Sequence, residues 1–187
     1  IRPLKQCLSA NDIREIMAII NGTTNFILTE MTDKRKDFKE VLEQAQALGY
    51  AESDPSADID GLDAGRKLAI LSSIAFNTRI VPGDIYTEGI RNISAKDIEY
   101  ARELGFVIKL LAVARRENGR IEASVSPVML SEKHPLAKIG GVFNAILVDG
   151  SPVGQVMFYG RGAGKDATAS AVAGDILDIV RHKGYPS

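Results

Sequence analysis

Phe106-Val107-Ile108-Lys109-Leu110-Leu111-Ala112-Val113-Ala114 and Ile121-Glu122-Ala123-Ser124-Val125-Ser126-Pro127-Val128-Met129-Leu130 stand on either side of Asn118-Gly119. Asn-Gly between two apolar runs is a strong hairpin signal, because both residues tolerate the positive φ that a tight turn between twisted strands requires. The pattern recurs. Residues 143–148 and 153–159 flank Asp149-Gly150-Ser151-Pro152, which predicts a second hairpin. Upstream, residues 13–20 read as a further strand and residues 81–86 as extended chain.

The remaining segments carry the other period. Phe38, Val41, Leu42, Ala45 and Leu48 recur at helical spacing, and Gly49 stands where a left-handed C-cap is expected. Asn21-Gly22-Thr23-Thr24-Asn25 is a turn cluster with helix-cap candidates, and a helix is predicted to begin at Phe26. Asp60-Gly61 lead into a helix through about Phe76, and Ser94 caps another to about Leu104, with Asp97 as capping-box partner. Residues 3–10 could form a short helix, and Gly160-Arg161-Gly162-Ala163-Gly164 opens a last one through about His182. An α+β fold follows, with helices packed on a mixed, largely antiparallel sheet. Neither a repeat nor a linker interrupts residues 1–187, so a single domain is expected.

Composition narrows the function. The chain has 187 residues, 45% hydrophobic and 25% charged, which is ordinary for a globular domain with a real core. A net charge of −1 argues against nucleic acid or an acidic membrane surface as partner. No run approaches the roughly 18 apolar residues of a membrane span. The single cysteine, Cys7, fits a reducing cytoplasm, and two histidines, His134 and His182, make a histidine-cysteine metal centre unexpected. His134 reads as a loop residue, His182 as a complement to a helix dipole, and Arg115-Arg116 as a solvated turn.

Asp63 and Lys67 lie at i and i+4 in the helix that follows Gly61, in the favourable acid-before-base order. In front of them stand Glu52, Asp54, Asp58 and Asp60 in an aperiodic loop. Such a set can bind an ammonium group through carboxylates while the lysine exchanges a proton with a nearby oxygen. The same spacing also suits an exposed ion pair beside a helix N-terminus. Leu62, Ala64, Leu68, Ala69, Ile70 and Leu71 surround Lys67 in sequence and predict partial burial. The Gly160–Asp166 stretch fails the Walker pattern, with Tyr159 for the first Gly and Asp166 for Ser or Thr, and Lys165 breaks the dinucleotide fingerprint. Its glycines still allow a ligand to approach helix N–H groups.

Four stretches together resemble the homoserine dehydrogenase family: Asn21–Leu28, Leu48–Pro55, Asp58–Lys67 and Gly160–Thr168, in family order and spacing, over essentially the whole chain. The resemblance implies reversible reduction of aspartate 4-semialdehyde to homoserine, in threonine and methionine biosynthesis, with NAD(P). By that analogy Lys67 is the catalytic lysine and Asp63 positions it or the substrate. Glu52, Asp58 and Thr23 belong to the substrate side, while Gly49, Gly164, Asn21 and Gly22 lie toward the cofactor. The family's amino-terminal Rossmann domain, which holds most of the cofactor, its own lysine and a cation site, is absent here, as is the ACT domain of many members. Ile1-Arg2-Pro3-Leu4 reads like the interior of something longer. A fragment inactive alone is therefore expected, with a final helix that returns to the missing domain and a homodimer through the sheet. Arg161 stands where the family often has Pro. A small-molecule-binding module without chemistry, or another enzyme acting on an amino acid, would use the same loop; the binding module would tolerate replacement of Lys67, whereas a dehydrogenase would not.

Overall fold

The computed structural model describes residues 1–182. In chain order, a wide turn at Pro3–Cys7 leads to β1 (Asp12–Ile19), α1 (Gly22–Lys34), α2 (Phe38–Ala47), the single turn α3 (Ser56–Ile59) and α4 (Leu62–Ala75). Then follow β2 (Tyr86–Thr87), α5 (Ala95–Glu103), β3 (Phe106–Glu117), β4 (Arg120–Ser131), β5 (Phe143–Ser151), β6 (Gly154–Arg161) and α6 (Lys165–His182). The strands lie in the order β2-β4-β3-β1-β5-β6. β2 runs parallel to β4 and the other neighbours pair antiparallel, so the sheet is mixed and largely antiparallel.

Both hairpins form. Asn118 and Gly119 take φ of 51° and 77°, and β3 pairs β4 from Phe106↔Ser131 to Glu117↔Arg120. β1 inserts between the hairpins, with Met17 opposite Val113 on one side and Leu147 on the other. Alternation then divides the side chains. Ile16, Ala18, Ile108, Leu110, Ala112, Ala114 and Val148 face the helices and meet Ile27, Leu28, Met31 and Leu68. Met17, Ile19, Leu111, Val113 and Leu147 face the other way, partly covered by Leu136 and Ile139. Each large aliphatic fully buried in the first layer contributes about 1.5–3 kcal/mol.

Several local expectations need correction. Helix α1 begins at Gly22 rather than Phe26, because Asn21 caps it by accepting from the Thr24 amide at 2.9 Å. Residues 81–86 are extended at both ends but not between: Pro82–Asp84 forms a 3-10 turn, with the Asp84 carboxylate accepting from the Val81 amide at 2.9 Å. Arg115 and Arg116 are not a turn but the end of β3, paired with Glu15 and Asp12 of β1. His134 caps a turn, its Nδ1 accepting from the Leu136 amide at 3.2 Å. The side chain of His182 lies outside the described residues.

The final helix forms as expected, yet it hardly touches the body. Val172, Ile176, Leu177, Ile179 and Val180 are exposed, and Arg2 ties the helix down through Asp175 and Asp178.

Candidate active site

A cleft of about 470 Å³ opens where β1 ends and α1 begins. The chain leaves the buried Ile20 and turns at Asn21 into α1, which sets the Asn21 carboxamide and the first helical residues along one wall. On the opposite wall α4 starts from Gly61 in a left-handed conformation, φ 80°. A Cβ there would meet Thr87 Cγ2 at 3.0 Å, so β2, though only two residues long, presses the start of α4 into place.

From α4, Lys67 Nζ donates to Asp63 Oδ2 at 2.6 Å and to the Ile20 carbonyl at 3.1 Å. Asn21 Nδ2 donates to Asp63 Oδ2 at 2.9 Å and to Asp58 Oδ1, from the α3 turn, at 2.7 Å. Two carboxylates, one amide and one ammonium thus converge at one end of the cleft. The lysine is less enclosed than its neighbours in sequence suggest: its side chain is 47% exposed. Ala64, Leu68 and Ala69 face the core while Leu62 and Ile70 are themselves exposed, so the apolar residues flank the lysine without covering it.

Of the nine residues singled out from the sequence, Asn21, Gly22, Thr23, Gly49, Asp58, Asp63, Lys67 and Gly164 line this cleft. Glu52 does not. It is exposed outside the lining, and among the described residues its backbone carbonyl accepts from Gln46 Nε2 at 3.1 Å while its carboxylate has no bonded partner. Thr23 Oγ1 donates to the Tyr50 carbonyl at 2.7 Å and ties the loop after α2 to the head of α1.

Sequence reasoning missed Val142 and Asn144, which complete the cleft from the start of β5. Among the described residues Asn144 Oδ1 is buried without a partner, and its Nδ2 lies 1.8 Å from where a Cβ on Gly162 would stand. The glycine at 162 is what lets the 160–164 turn sit against this amide. Nothing local marks Asn144, since strand alternation assigns it a face and not the turn, 18 positions on, that it meets. A Cβ at Gly49 or Gly164 would meet nothing within 4 Å, so a ligand can approach the backbone closely there. These bare glycines and the orphaned amide oxygen suit a flat, amide-bearing ring.

Helices on one face of a mostly antiparallel sheet, with a carboxylate–lysine cleft facing glycine-rich backbone, define an α+β domain with a polar small-molecule-sized cleft. A family model described as homoserine dehydrogenase matches residues 1–177. The homoserine dehydrogenase of Synechocystis sp. is 55% identical over 96% of this chain and 42% of its own length. The structure of a homoserine dehydrogenase from Thiobacillus denitrificans superposes with a TM-score of 0.95 at 48% identity, over 98% of this chain and 43% of that one. A hyperthermophilic archaeal homoserine dehydrogenase mutant in complex with NADPH gives 0.81 at 34% identity, over 99% of this chain and 52% of that one. The chain belongs to the homoserine dehydrogenase family. It spans well under half the length of the Synechocystis relative.

Proposed function

We propose that this chain is the substrate-binding and catalytic part of an enzyme that interconverts homoserine and aspartate 4-semialdehyde with a nicotinamide cofactor. The observation that carries the reading is the convergence of Asp58, Asp63 and Lys67 on one cleft. The carboxylates bind the substrate ammonium, which is a charged hydrogen bond in a partly desolvated site. Asp63 and the Ile20 carbonyl hold the lysine Nζ from two sides, so the amine is aimed before substrate arrives. As the free amine, Lys67 then takes the hydroxyl proton during oxidation, and as the ammonium it returns that proton during reduction. The cofactor, when bound, takes up or supplies the hydride. Gly22, Gly49, Gly164 and Asn144 would hold its nicotinamide end, and a further domain would hold the rest. The archaeal relative's complex with NADPH supports a nicotinamide partner, and the choice between NAD and NADP belongs to that further domain.

Lys67→Ala in the full-length protein should lower kcat for homoserine by about two to four orders of magnitude with the fold intact. A variant with most of its kcat would reduce Lys67 to a surface pair and favour a binding module. Glu52 is given to the substrate by resemblance and Asp58 by geometry, and the two roles separate in steady-state kinetics. Asp58→Asn should raise KM for homoserine roughly ten- to a hundredfold, the worth of one charged hydrogen bond. If Glu52→Gln does the same, the loop after α2 closes over the substrate; if it leaves KM alone, Asp58 carries the ammonium without it.

A further inference from the structure

Asn21 is 5% exposed, and its carboxamide is used at both ends. Oδ1 accepts from the Thr24 amide and from Thr24 Oγ1, both at 2.9 Å, which caps α1. Nδ2 donates to Asp58 at 2.7 Å and to Asp63 at 2.9 Å. Turning the amide over would set its oxygen against two carboxylates and its NH2 against a backbone N–H, so the chemistry around it permits one orientation only. Asp63 Oδ2 is in turn the oxygen that holds Lys67 Nζ. One side chain therefore connects the head of α1, the α3 turn and the lysine helix.

Capping alone does not explain the residue type. Asn, Asp and Ser cap helices about equally well. Ser reaches only the capping amide, and Asp would cap while presenting a third carboxylate to Asp58 and Asp63. Only Asn combines the cap with two donated hydrogen bonds. Two carboxylates sharing one nitrogen repel each other, and the shared N–H pair is what holds them side by side in the cleft that both line.

We infer that Asn21 is a positioning residue of the substrate half of the site, acting through Asp58 and Asp63, and not a contact to the cofactor as the family resemblance assigns it. The inference rests on the homoserine reading above and deepens it. In it, homoserine affinity and lysine alignment depend on the Asn21 amide, while cofactor affinity does not.

The test compares Asn21→Ser and Asn21→Asp with wild type in the full-length protein, by steady-state kinetics, homoserine titration calorimetry and thermal melting. Both variants keep a cap, so their melting temperatures should stay close to wild type. Asn21→Ser should weaken homoserine about ten- to a hundredfold in both KM and Kd, with KM for the cofactor unchanged. Asn21→Asp, the closer match in shape, should be the worse of the two, because it replaces a donor by a charge. A purely capping role gives both variants wild-type kinetics, and a cofactor contact moves the cofactor KM instead; either result overturns the inference. Should both variants melt early, Asn21→Ser in an Asp58→Asn background decides the matter. Its effect on homoserine should shrink there, since one of the two carboxylates it holds has lost its charge, and a fully additive effect counts against it. A wild-type protein that neither binds nor oxidises homoserine overturns the functional reading, and this inference with it.

Discussion

Lys109 is a residue no spacing argument singled out, standing on β3 between Ile108 and Leu110 and only 5% exposed. Its Nζ donates to the Ile139 carbonyl at 2.6 Å and to Asn25 Oδ1 at 3.1 Å. Asn25 donates onward to the Gly141 and Phe143 carbonyls at 3.0 and 3.1 Å, so the lysine buttresses the segment that carries Val142 and Asn144 into the cleft. Burial lowers its ammonium to about 8 from an ordinary 10.5, with Asp33 opposing the shift. Between those values the unfolded chain holds a proton that the native protein has lost, so stability from this group rises with pH across that window. Below about 8 both states are protonated and the full penalty applies, on the order of 3 kcal/mol. Denaturant unfolding of wild type and Lys109→Met at pH 7 and pH 10 should show wild type gaining on the variant by a few kcal/mol; a pH-independent difference would refute the buried ammonium. At this scale Asp63 and Lys67 were legible because a helix puts i and i+4 on one face. Asn21 reads locally as a cap and by resemblance as a cofactor neighbour, and its hold on two acids is not legible because they lie 37 and 42 positions away.

At the scale of elements, both hairpins could be read from turn chemistry and alternation, and α5 from its capping box: the Asp97 amide donates to Ser94 Oγ at 3.2 Å and the Ser94 amide to Asp97 Oδ2 at 2.8 Å. The single turn α3 was read as loop, since four residues are too few to show a period. The sheet has a helix-covered face and a barer one. On the barer face Leu147 pairs with Met157 and Ala145 with Tyr159 across β5 and β6, and Met157 and Tyr159 are 42% and 57% exposed. We propose that a second copy of the chain covers this face. Met157→Lys should then shift the protein from dimer to monomer in light scattering while the fold is retained. An unchanged mass, or a monomeric wild type, would remove this face from the assembly.

For the molecule as a whole, we propose that the chain by itself folds without catalysing hydride transfer, because the cofactor would lack the domain that fixes its distance and angle. The apolar residues Val172, Ile176 and Ile179 of α6 are exposed in this chain, and on the same proposal a further domain covers them in the full-length protein. Hydrogen exchange should find the α6 amides poorly protected in the isolated chain and protected in the full-length protein, and only the latter should oxidise homoserine. Robust oxidation by the isolated chain, or an α6 equally exposed in both, would sink the proposal. The amino-acid sequence by itself determined the α+β class, both hairpins and the Asp63–Lys67 pair, because these follow from periods of two and 3.6 and from turns within a few residues. Only the tertiary structure decided that β1 lies between the hairpins, that Asn21 grips Asp58 and Asp63, that Asn144 faces Gly162, and that Lys109 lies buried. Those are contacts between distant segments, created when the apolar faces close on one another, and no local pattern records which partner each will meet.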